Sequence, residues 1–82
     1  MMKTIHVVQV FEIHRKRLVP TTKLEARDES HARIRAERTI QSKPGAVILA
    51  ISLDTETGEV DTTRIVARFG ETPDDLDQLI GG

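Results

Sequence analysis

The chain has 82 residues, 12 basic and 13 acidic side chains for a formal net charge of −1, and no cysteine, tryptophan or tyrosine. That length holds one domain with a thin core, burying about 60–65% of the unfolded surface, and the lack of cysteine excludes disulfide staples, thiol chemistry and thiolate metal sites. No apolar run approaches the roughly 20 residues of a membrane span, and the amino terminus does not read as a signal peptide, so the expectation is a cytoplasmic protein without membrane contact.

Residues 4–13 are dense in β-branched side chains and alternate, placing Ile5, Val7, Phe11 and Ile13 on one strand face. A charged turn follows at 14–17, and 18–26 reads as a second strand that completes a hairpin. Pro20 has no N–H to give a ladder, so this strand belongs at an edge or carries a bulge. Asp28 is positioned as a helix N-cap with Glu29 in the first turn. The helix runs to about Gln41, ahead of Lys43-Pro44-Gly45, and its apolar stripe is Ala32, Ala36 and Ile40. Ile34 falls on the opposite side.

Residues 46–53 are apolar without alternation, as in a central strand buried on both faces. A polar loop with Gly58 spans 54–61, and a fourth strand spans 62–69. Gly70 ends it, and Thr72-Pro73-Asp74-Asp75 starts a short helical turn carrying Leu76, Leu79 and Ile80. The expected fold is therefore α+β. Its order is β-β-α-β-β, with a four-stranded antiparallel sheet, one helix on one face and a short C-terminal helical turn. Residues 1–73 form the domain and 74–82 an acidic tail.

The predicted core is Ile5, Val7, Phe11, Leu24, Ala32, Ala36, Ile40, Val47, Leu49, Ile51, Ile65, Ala67 and Phe69. One helix leaves the second sheet face in need of cover. Val8, Val10, Ile48 and Val66 are assigned to that face as a self-association surface. A homodimer is the expected cover, with the tail as its rival.

Three segments resemble a group of short bacterial proteins: 5–11, the run Arg17-Leu-Val-Pro20, and 67–73, which reads Ala-Arg-Phe-Gly-Glu-Thr-Pro. That group has no established activity, so the resemblance assigns no functional residue. The Gly81-Gly82 end, after β-β-α-β, resembles the ubiquitin-like sulfur carriers and modifiers. That likeness implies a terminal carboxylate open to activation by a partner.

Chemistry-bearing patterns are sparse. His6 and His14 sit roughly 26 Å apart on one strand, and neither pairs with His31 at a metal-ligand spacing, so no metal is expected. The 54–61 loop departs from a calcium-binding loop at its glycine and at Ile65. No nucleophile motif or phosphate-cradling glycine loop occurs, so neither catalytic residues nor cofactors are expected.

Charge, however, is split. Residues 1–43 carry ten Lys/Arg against five acids, and residues 44–82 carry two against eight, giving +5 and −6. Arg15, Lys16 and Arg17 in the turn, with Arg33, Arg35 and Arg38 on the helix, are candidate phosphate contacts. The leading expectation is a small non-enzymatic protein-interaction or self-associating domain. Nucleic-acid binding through those six bases and a Gly-Gly carrier are the alternatives.

Overall fold

The computed structural model describes residues 1–76. Leu79, Ile80 and the Gly81-Gly82 end, with most of the expected tail helix, lie outside the described residues. The elements are β1 (Met2–His14), β2 (Arg17–Ala26), α1 (Glu29–Thr39), β3 (Gly45–Asp54) and β4 (Val60–Gly70). They form an α+β fold whose four strands run in the order β2-β1-β3-β4, each neighbour pair antiparallel.

The start of α1 follows from three residues. The Asp28 carboxylate accepts from the His31 N–H at 2.8 Å, and His31 Nδ1 accepts from the Arg27 N–H at 3.1 Å. This resembles a capping box, with histidine where glutamate or glutamine usually stands, but His31 takes the N–H of the residue before the cap in place of the cap's own. At the far end Ile40 is the cap residue, its N–H reaching back to the Ala36 carbonyl. Ile40 is 36% exposed and lies outside the core predicted for it.

For β1 and β3 the two sheet faces are exchanged relative to the sequence expectation, whereas Leu24 of β2 and Ala67 and Phe69 of β4 pack on the helix side as expected. Beneath α1 lie Val8, Ala46 and Ile48 with Ala26, packed on Ala32 and Ala36, and Leu24, Val66 and Phe69 border them. Phe11, Val47 and Leu49 occupy the opposite face. Val8 and Ile48 are thus buried under the helix, Val66 is packed against the same cluster, and Val10 is buried beside the end of the helix near Thr39; they form no open self-association surface. The physical reason is topological. β1 is antiparallel to both β2 and β3, so those two run parallel and α1 is the crossover between them. Crossover handedness selects the face a helix covers. Alternation along apolar strands carries no such information, because both faces of β1 and β3 are hydrophobic.

The second face is covered from within the chain. Beyond β4 the Glu71 N–H donates to the Pro44 carbonyl at 2.9 Å, and Gly70 makes the bend at φ 67°. The chain then passes directly over Gly45, where a Cβ would collide with the Glu71 carbonyl. It ends this passage with Leu76, fully buried against Phe11, Val47 and Leu49. Gly45→Ala therefore forces the crossing segment off the sheet. We expect a loss of about 1–3 kcal/mol, typical of overpacking. Faster hydrogen exchange at the Glu71 amide than in the wild type is the direct check.

Candidate functional site

β1 and β2 outrun the rest of the sheet. The β1–β3 ladder ends at Phe11 opposite Gly45. Beyond it, Glu12 pairs with Val19, Ile13 with Leu18 and His14 with Arg17, and nothing else joins the ladder. Three pairs make a two-stranded arm of about 10 Å.

A β-bulge sits at its base, where Val10 of β1 is opposed by two residues of β2, Thr21 and Thr22. Bulges free a carbonyl and bend the strand. Here the Val10 carbonyl accepts from Gln9 Nε2 at 3.1 Å and from the Thr21 hydroxyl at 3.3 Å. Gln9 Nε2 also lies 3.3 Å from the Thr22 carbonyl. Gln9 is the one buried polar residue among the described residues, at 5% exposure. Its amide satisfies carbonyls that the bulge takes out of the ladder, so the bend is a built feature.

Glu12 further braces the arm. Its carboxylate meets the Lys43 ammonium at 2.9 Å. That ammonium is the main cause holding the Glu12 carboxyl below its ordinary value of 4.5. A carboxyl depressed by folding contributes stability that is present above the ordinary value and is lost as pH falls through the folded one. In Glu12→Gln the acid side of the stability profile should flatten below that value. Paired urea titrations at neutral and acid pH measure this, and parallel profiles for the two proteins would remove the bridge from the account.

The tip is the unusual part. Arg15 has φ 52° and Lys16 φ 67°, both in the left-handed region. A two-residue hairpin of this kind favours Asn-Gly, because side chains with a Cβ and long stem are disfavoured there. Two long basic residues occupy both positions instead. His14, Arg15, Lys16 and Arg17 are all exposed. Ile13, on the arm beside them, is 58% exposed.

The helix arginines are not gathered with the tip. Arg33 is bound to Glu29 one turn earlier, with nitrogen and oxygen 3.2 Å apart, and Arg35 donates to the Glu25 carbonyl on β2. Both serve the fold locally. Arg38 lies in the last turn of α1, where a cation complements the helix dipole.

The acids are distributed unevenly around the arm. Asp75 of the crossing tail shares a shallow cleft with Arg17, Leu18 and Pro20. Asp54, Glu56, Glu59 and Asp61 occupy the β3–β4 loop, at the Met2 end of β1. Thirteen residues of β1 separate that loop from the tip, or roughly 40 Å. The screening length at physiological salt is about 8 Å. Near-zero net charge thus resolves into an acidic loop at one end and, at the other, a basic tip with the tail acids Glu71 and Asp75 near its base.

Among the described residues no three His, Asp or Glu side chains are gathered as metal ligands, and no helix is long and apolar enough to cross a membrane. No family model, curated protein or solved structure matches this chain, so the geometry alone carries the functional reading.

Proposed function

We propose that the protein is a nucleic-acid-binding module that presents the β1–β2 arm to a phosphate backbone. The observation behind this reading is the occupancy of the turn. Arg15 and Lys16 hold two left-handed positions where the backbone favours other residues, and neither is in an ion pair among the described residues. Strained positions concentrate at functional sites, and the inference runs from the observed outlier to the function. With Arg17, three cations stand at the end of a projecting arm, away from the acidic loop.

Binding of fluorescently labelled DNA, followed by anisotropy across a salt series, tests this. Three phosphate contacts predict a log–log salt slope of about −2.7 on a duplex. Replacing Arg15, Lys16 and Arg17 with glutamine should bring the slope near zero and weaken binding by roughly tenfold per charge at about 0.1 M salt. No binding even at about 20 mM salt would overturn the proposal, since the electrostatic term is largest there.

A second reading, a protein-interaction or self-associating domain, would rest on the exposed large apolar residues Met1, Met2, Ile13, Ile34, Ile40 and Val60. They divide among the arm (Ile13), the helix and its C-cap (Ile34, Ile40) and the far end of the sheet (Met1, Met2, Val60), and so do not form one patch of the kind that marks an interface. The sheet edges also discourage strand addition. β2 carries Pro20 and the bulge, and β4 pairs with β3 through two register shifts. A monomer by light scattering fits the first reading, and a stable dimer would favour the second.

A further inference from the structure

Given the nucleic-acid reading above, we infer that the ligand is B-form duplex DNA, entered through its major groove by the arm. The dimensions favour it. The major groove is about 12 Å wide and 8.5 Å deep, and it admits a two-stranded β-ribbon, whereas the minor groove is only about 6 Å wide. The arm is such a ribbon, three cross-strand pairs long beyond the sheet; Leu18 ties its base to the second-face cluster, so the part that enters the groove is the exposed end, Ile13 to Arg17.

The side chains favour it as well. Binding to single strands relies on aromatic platforms for the bases. This chain has no tyrosine or tryptophan. Of its two phenylalanines, Phe11 is fully buried and Phe69 is packed beside the helix–sheet core. Phe11 is closed to bases and Phe69 is only partly open, so the exposed ring at the tip is His14 alone, short of the several platforms on which successive bases stack. Double-stranded RNA is disfavoured because its major groove is too narrow and deep for side-chain access. The tip instead offers Arg15, Lys16 and Arg17, cations suited to phosphates and to guanine O6 and N7. Ile13 supplies an exposed apolar contact beside them.

The surroundings of the arm set the direction of approach. On its flanks Glu12 is already engaged by Lys43, and Asp75 faces the cleft beside Arg17. DNA therefore meets the arm tip-first, with the acid-bearing flank outside the groove.

The test compares three probes of one sequence at low salt: duplex DNA, its single strand, and the matching RNA duplex. The full chain is used throughout. Duplex DNA should bind at least tenfold tighter than either of the others, and dimethyl sulfate should reveal protection of guanine N7 in the complex. Ile13→Ala, at an exposed position that leaves the fold intact by circular dichroism, should weaken duplex binding several-fold without changing the salt slope. Equal or tighter binding to the single strand or the RNA, or unprotected N7 in a saturated DNA complex, would overturn this inference while leaving the arm as a polyanion site. Failure to bind all three probes would remove the broader reading and this one together.

Discussion

Leu76→Ala lowers the stability of this protein by about 2–5 kcal/mol, the range found for deleting a buried leucine side chain. In a domain of this size each kcal/mol shifts the midpoint by roughly 4–8 °C, so the variant should melt about 8–40 °C below the wild type. Leu76 is fully buried in a cluster with Phe11, Val47 and Leu49, on the face that α1 does not cover. An 82-residue chain has little apolar area in reserve, and removing this side chain both opens a cavity and loosens the segment that crosses Gly45. Asp75→Ala next to it, at an exposed position, serves as the control and should change stability by no more than about 0.5 kcal/mol. Melting followed by circular dichroism suits a chain without tryptophan or tyrosine. A shift of the Leu76 variant no larger than that of the control would mean that the tail does not hold the second face.

The tail also shows where sequence reasoning reaches and where it stops. Asp28 as the helix cap, Pro20 as the mark of an edge strand with a bulge, and the doubly buried strand at β3 were all legible, because each rests on a local rule about donors, φ angles or periodicity. The choice of face was not. Val7 and Val8 are both buried, at 7% and 0% exposure, on opposite sides of β1, so apolar alternation could not say which side meets the helix. That choice lies in the crossover between β2 and β3, a property of the whole sheet. Gln9 was likewise opaque: a polar residue in an apolar strand acquires its role only once the bulge frees the Val10 carbonyl. Leu76 could be identified as apolar from its spacing, but its place on the second face depends on the bend at Gly70 and on the open backbone of Gly45. For the candidate site, the basic character of 14–17 was plain, whereas the left-handed backbone of Arg15 and Lys16 was not. No asparagine or glycine signals such a turn here, so the sequence conceals the strain that makes the tip informative.

That strain leads to the prediction that most sharply separates folding from function. Replacing Arg15 with Asn and Lys16 with Gly installs the residues that a left-handed two-residue turn favours. Each L-residue with a long side chain in this region costs roughly 1–2 kcal/mol, and part of the relief is offset by the entropy glycine loses on folding. The double variant should therefore be more stable than the wild type by about 1–2 kcal/mol, read as a higher urea midpoint with an unchanged slope. The same change removes two of the three tip cations. On the nucleic-acid reading it should weaken duplex DNA binding about 100-fold near 0.1 M salt and reduce the salt slope by about 1.8, while Arg17 remains. Most losses of binding on mutation are confounded by loss of structure; here the two quantities are expected to move in opposite directions. A more stable protein with undiminished DNA affinity would show that the arm's charge is not the binding element. A variant no more stable than the wild type would show that the positive φ angles at Arg15 and Lys16 carry no strain, removing the observation from which the function was inferred.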